Sequence, residues 1–155
     1  IASSRGPVEL GESAVRVPLF PSPSLAAEKG WFEKRLEALQ PKSRIRLVLR
    51  DLSAAKQPGI LFHLYLDLPA AETAPRGRDP HYVGALNFFN ASKAAAREYG
   101  NRKSKRFYSY DLTAKLRKLR AGGLLGDRTT VTIIPAGVPV GDAKATIGRI
   151  ELVQD

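Results

Sequence analysis

The sequence contains no cysteine and only two histidines, His63 and His81. The lack of thiols excludes disulfides, zinc–thiolate sites, iron–sulfur clusters and a cysteine nucleophile. Two imidazoles are too few for a site built on several of them. Long apolar runs are also absent. None approaches the ~20 residues needed to span a bilayer, so a membrane is not expected as a partner. The chain opens on Ile1 with no charged-then-apolar leader, and it reads as a processed or excised piece whose targeting signal is not visible. What is present suits one soluble globular domain. Its 155 residues are the size of a single unit, long enough to bury about 70% of the unfolded surface.

Acidic residues are scarce relative to basic ones, 15 against 25, leaving a formal charge of +10. The excess is concentrated. Between Lys93 and Arg120 stand ten cations opposed only by Glu98 and Asp111. Such a segment favours acidic partners, and Arg102, Lys103, Lys105 and Arg106 form its densest part, a candidate docking or polyanion patch. Tyr99, Phe107, Tyr108 and Tyr110 interleave with the charges as a stacking platform would. Phe107 to Leu112 also fits a strand, which would turn half of those rings into a core. No recognised nucleic-acid module surrounds the charges. A solvated loop followed by the outer face of a helix is the plainer reading, and nucleic acid is not the expected partner.

Along the chain, residues 1–23 are rich in Pro, Gly and Ser and read as a strap or linker from a preceding domain, with strand-like pieces at Pro7–Leu10 and Ala14–Phe20. A helical stretch from Leu25 to Leu39, interrupted at Gly30, carries Trp31, Phe32, Leu36 and Leu39 near a helical period. The period then changes to two. Ile45, Leu47 and Leu49 alternate with Arg44, Arg46 and Arg50, giving one dry and one cationic face. Further strands are expected at Leu61–Leu68, His81–Phe89, Arg106–Leu112, Val131–Ile134 and Thr146–Val153. A short helix with Leu112, Leu116 and Leu119 as its stripe should be capped by Asp111 or Thr113 and ended by Gly122-Gly123. Residues 24–155 thus read as mainly β, an antiparallel jelly-roll-like β-sandwich with one or two short helices.

No catalytic constellation emerges. His63 lies on the second face of a strand and His81 follows Asp79-Pro80, both expected at the surface or rim. Gly122-Gly123 follows a helix, the wrong end for binding an anion. The chain alone is not expected to be an enzyme. One feature is odd for a plain core. Asn87-Phe88-Phe89-Asn90 sets two large rings side by side at a strand end, and adjacent residues face opposite ways. A protruding Phe forfeits about 1.5–3 kcal/mol of burial unless another surface accepts it.

The second half resembles the C-terminal domain of type-3 copper proteins, the tyrosinases, polyphenol oxidases and molluscan haemocyanin units. Phe62-His-Leu-Tyr-Leu66 is similar to the family's Phe-x-Val-Tyr-Val strand, and Tyr82-Val-Gly-Ala-Leu-Asn-Phe-Phe89 to the strand after it. Phe107-Tyr-Ser-Tyr-Asp-Leu-Thr113 with Leu116 and Leu119 is similar to Tyr-Asp-Ile/Leu-Thr-x-x-Leu. Val131–Pro135 and Thr146–Leu152 resemble the closing pair, and Gly6-Pro-Val-Glu-Leu10 the strap leaving the catalytic domain. The resemblance implies a non-catalytic domain that covers the entrance of a helical, six-histidine dicopper domain, inserts one bulky side chain where a phenol would sit, and keeps the oxidase latent. It implies Phe89 as that placeholder, Phe88 as second choice and Leu52 as third. It also implies no cofactor in this chain, with copper in the missing catalytic domain. The partner would be that tyrosinase catalytic domain, joined in one polypeptide or cleaved from it. Leu61-Phe-His-Leu64, where plant members carry Lys-Phe-Asp-Val, points to a bacterial-type relative. The competing reading is a free-standing basic β-sandwich that binds a polyanion or carbohydrate.

Overall fold

Alternating apolar residues in the two longest strands decide the architecture. The computed structural model of the chain describes residues 1–70, 79–88, 107–126 and 128–155. Its strands are β1 (Ala2–Ser3), β2 (Val8–Leu10), β3 (Val15–Pro18), β4 (Phe20–Pro21), β5 (Ile45–Ser53), β6 (Phe62–Leu66), β7 (Tyr82–Leu86), β8 (Tyr108–Asp111), β9 (Thr130–Pro135) and β10 (Ala145–Gln154). The helices are α1 (Pro23–Ala26), α2 (Trp31–Glu37) and α3 (Thr113–Ala121). One sheet runs β4-β1-β10-β5-β8, with β2 also paired to β10, and the other runs β3-β9-β6-β7. All pairings are antiparallel, from Ala2↔Leu152 through Leu47↔Leu152 to Phe62↔Pro135. The chain is mainly β, as its pattern predicts, and the two sheets pack as a sandwich.

Ile45, Leu47 and Leu49 from β5 and Ile147, Ile150 and Leu152 from β10 line one wall of the core, all fully buried. Phe62, Leu64 and Leu66 from β6 and Val131 and Ile133 from β9 line the other. Apolar side chains alternate because successive residues of a strand face opposite ways. The alternation changes parity once, and in both long strands at the same place. In β5 the inward set passes from odd numbers to Leu52, and in β10 from Ala145 and Ile147 to Ile150 and Leu152. The change lies between the rungs Arg50↔Arg149 and Leu52↔Ile147. There Asp51 adopts a left-handed backbone, φ 55°. A Cβ on Gly148 would sit 2.7 Å from the Asp51 Cβ, so only glycine fits against it. Leu52 is therefore a core residue at 6% exposure, packed opposite Ile147, and not a protruding one.

Residues 1–23 lie along the sandwich and supply β3 to one sheet and β1, β2 and β4 to the other. The helical stretch divides at Gly30, whose φ of 69° ends one turn and begins α2. Phe32 and Leu36 of α2 and Leu116 and Leu119 of α3 seal the core. The N-cap of α3 is Leu112, not Asp111 or Thr113 as expected, and it has no side-chain cap bond. Asp111, one residue earlier, accepts the Thr113 N–H at 2.9 Å, while the Thr113 hydroxyl accepts the Ile45 N–H at 3.0 Å and ties α3 to β5. At the far end, Leu124 N–H donates to Leu119 O and Gly123 N–H to Arg120 O, the bonding that closes a helix at its C-terminus.

A buried polar cluster joins β6 to the start of β9. Asp67, left-handed with φ 51°, accepts the Thr130 N–H at 2.7 Å and the Gly126 N–H at 3.2 Å. His81, expected at the rim, is instead buried, and its Nδ1–H donates to Leu66 O at 2.8 Å. That bond makes burial of the imidazole affordable. Burial holds the Asp67 carboxyl above the usual carboxylate range, against the opposing pull of the two N–H groups and of His81. A carboxyl raised on folding makes the native state take up a proton more readily than the unfolded chain. Its contribution is fully present below the ordinary aspartate value and is lost as pH rises through the raised one. Asp67→Asn keeps an oxygen acceptor and tolerates left-handed backbone. Chemical denaturation across that pH window should show the stability difference between wild type and Asp67→Asn shifting against wild type as pH rises; a pH-independent difference would contradict the assignment.

Candidate functional site

The segment that drew attention in the sequence, Asn87 to Asn90, begins where β7 ends. Its position is set by the neighbouring edge strand β8. Register places Tyr108 opposite Leu49 and Tyr110 opposite Leu47, so both rings point inward from the edge of their sheet. They lie parallel, centroids 6.2 Å apart with 9° between planes. Their hydroxyls cross the gap to the other sheet. Tyr110 donates to Ala85 O at 2.7 Å, and Tyr108 donates to Asn87 O at 3.1 Å while its oxygen faces the Asn87 N–H at 3.3 Å. Two side chains thus do for β7 what a further strand would do. Gly84 makes room: a Cβ there would lie 2.7 Å from Tyr110 Cε1. Burial, with Tyr108 and Tyr82 nearby, pushes the Tyr110 hydroxyl well above the usual tyrosine range, so it stays a donor.

Held this way, the strand end turns Phe88 inward. Its ring is 1% exposed and meets Phe62 edge-on, centroids 5.6 Å apart at 80°. Phe88 is therefore part of this chain's own core and is removed as a placeholder. The reason is the parity of the segment: Leu86 and Phe88 share the inner face, while Asn87 between them is exposed. Leu52, the third candidate, is removed by the parity change at Asp51. Phe89 lies outside the described residues, as do Arg102, Lys103, Lys105 and Arg106.

Among the described residues, several arginines are paired with carboxylates. Just before β5, Arg44 lies 3.6 Å from Asp111, and on the strand's outer face Arg46 lies 2.9 Å from Asp155 and Arg50 2.8 Å from Glu151. Arg149 shares Glu151 at 2.9 Å. On α3, Arg120 pairs with Glu37 and Lys115 donates to Pro80 O at 3.1 Å. Of the rings interleaved with the cations, Tyr108 and Tyr110 are structural and Phe107 is exposed. Sequence reasoning missed the tyrosine bridge, although its sign was present: two tyrosines one residue apart on the inner face of an edge strand, and a glycine in the facing strand.

A second rim feature surrounds the same end. Leu61 O accepts the Ala136 N–H at 2.9 Å and Pro58 O accepts the Val140 N–H at 3.1 Å, joining loops 57–61 and 136–141. With Asn87 they border a shallow hollow of about 290 Å³ lined by Gln57, Gly59, Ile60, Leu61 and Asn87.

The model of one family matches the whole chain, residues 1–155, under the description Domain of unknown function (DUF7868). The chain belongs to this family. No curated protein matches it. Among solved structures, the DUF7868 chain is similar to recombinant latent aurone synthase, a polyphenol oxidase, with TM-score 0.58 at 15% identity over 96% of this chain and 25% of that one. The same enzyme from its natural source gives TM-score 0.55 at 15% identity, again over 96% and 25%. Latent apple tyrosinase gives 0.56 at 17% identity over 96% and 27%. The DUF7868 chain spans about a quarter of the length of these oxidases, and shares the fold of that portion. The bacterial-type affinity expected from Leu61–Leu64 gains nothing from these relatives, one of which is from apple.

The geometry makes two stability predictions. Tyr110→Phe strands the Ala85 carbonyl and should cost about 1–3 kcal/mol in equilibrium unfolding, whereas Phe88→Ala, emptying a sealed core position, should cost about 3–5 kcal/mol. A Phe88→Ala variant as stable as wild type would return that ring to the surface.

Proposed function

We propose that this chain is the non-catalytic C-terminal domain of a tyrosinase-like oxidase, covering the entrance of a dicopper domain and keeping the enzyme latent. The observation that carries this reading is the fold: nearly the whole chain superposes on a quarter of oxidases whose names include the word latent. The ordered strand motifs of the sequence support the same kinship independently. Residues 1–23, which pair into both sheets of the sandwich, would then also be the stretch that leads in from the catalytic domain.

On this reading copper is not held by this chain. Its two histidines are engaged separately, His63 with the Tyr82 hydroxyl at 3.3 Å and His81 with Leu66 O. Among the described residues no three His, Asp or Glu side chains converge. The metal and the oxidation chemistry belong, on this reading, to the partner domain. This chain acts by occupancy. Phe89 serves as the placeholder, now that its neighbour Phe88 is committed to the core. A phenyl ring offers copper no donor atom, so it blocks by filling space where a phenol ring would stack. In one polypeptide, tethering gives an effective concentration of the order of millimolar, and a docking contact of only a few kcal/mol keeps the entrance closed.

In the oxidase carrying this domain, Phe89→Ala should raise diphenol oxidation without added protease, while the thermal unfolding of the domain stays unchanged. Undiminished latency in a folded Phe89→Ala variant would remove Phe89 from the role.

A further inference from the structure

Residues 1–10 do more than lead into the sandwich; they complete one of its central strands. β10 has β5 along one side. Its other side is taken by β1, with Ala2 opposite Leu152 and Ser3 opposite Glu151, and by β2, with Val8 opposite Ile147 and Leu10 opposite Ala145. Between the two short strands Ser4 continues the contact. Its N–H donates to Ile150 O at 2.8 Å, and its hydroxyl accepts the Ile150 N–H at 3.1 Å. β1 is held from the far side as well, because Pro21 and Phe20 of β4 pair with it. Ala2, Val8 and Leu10 are each no more than 8% exposed. Stripped of these residues, β10 would show an open edge, of the kind that takes up another strand.

The connection that follows is of the opposite kind. Gly11, Glu12, Ser13 and Ala14 are all exposed, and no backbone hydrogen bond ties them to the other described residues. A Cβ built on Gly11 would meet nothing within 4 Å. This loop carries the chain from one sheet to the other, from β2 on β10 to β3 on β9. Exposed loop tips of small and polar residues are where chains are nicked. We infer that residues 1–10 are a donor segment seated on β10, and that a cut in loop 11–14 leaves the sandwich whole, with the severed segment held by strand pairing alone. The inference takes its regulatory meaning from the covering role proposed above. In an oxidase where residues 1–10 follow the catalytic domain, cutting this loop severs the chain without lifting the cover. Uncovering then requires β1 and β2 to peel from β10, so strand pairing is a second hold on the cover beside the covalent one.

The test uses the 155-residue chain with the recognition sequence of a site-specific protease inserted between Glu12 and Ser13. After complete cutting, the N-terminal segment should travel with residues 13–155 on a sizing column, as read by mass spectrometry of the peak, and the two should part in denaturant. Ser4→Ala strands the buried Ile150 N–H and should speed loss of the cut segment about tenfold. Glu9→Ala, on the exposed side of β2, should leave that rate unchanged. Loss of the segment from cut wild type on the column overturns the inference, as does disappearance of the thermal unfolding transition on cutting. A segment that stays but leaves Ser4→Ala and wild type at the same rate also overturns it, since something other than this pairing then holds it. No oxidase enters this experiment, so its failure leaves the covering role standing. That role is tested apart, by adding the uncut chain to an activated tyrosinase catalytic domain and measuring diphenol oxidation; absence of inhibition there sinks the covering role and not the seating of residues 1–10.

Discussion

Two phenolic hydroxyls crossing between sheets hold this sandwich closed on one side. β7 and β8 are edge strands of different sheets, and unpaired edges are where a sandwich opens or pairs with other chains. Tyr110 to Ala85 and Tyr108 to Asn87 replace strand pairing with side-chain bonds, and Gly84 gives the Tyr110 ring its seat. The geometry of the β7 end follows from this bridge. It sets the height of Asn87 and turns Phe88 onto Phe62, so the loops 57–61 and 136–141 become the ground on which that end stands. A looser edge would leave the direction of each phenylalanine undecided.

The architecture was legible because burial in a sandwich has period two. Ile45-Leu47-Leu49 and Phe62-Leu64-Leu66 place themselves on the core face by alternation alone, and Pro and Gly mark the turns. The two elements that escaped notice, β1 and β4, are two residues each, too short for any period to show. Leu52 was misjudged for a different reason. Alternation from Leu49 would put it on the arginine face, and only the left-handed Asp51 against Gly148 returns it to the core. A single backbone angle, stabilised by a partner strand about a hundred residues away, is not written in the local pattern. His81 was misplaced likewise, since its shelter depends on the Leu66 carbonyl.

The candidate site was half legible. Two adjacent rings at a strand end pose a real conflict for a sandwich, and the structure resolves it for one of them by burying Phe88. What the sequence pattern hid was the rim, because Ile60, Leu61, Val138 and Val140 look like ordinary turn neighbours until the loops are seen bonded to each other. The charge argument moved the other way. A net charge of +10 draws the eye to basic residues, yet Arg46, Arg50 and Arg120 are each paired with a carboxylate.

The covering role proposed above makes the β7 end, where Phe88 turns inward, its working face. Amide hydrogen exchange of the chain, free and mixed with the dicopper domain, measures that face directly. The account predicts slowed exchange confined to residues 57–61, 86–89 and 136–141, with the arginine face of β5 unaffected. Protection on the β5 face or on α3, with these three segments unchanged, would contradict it.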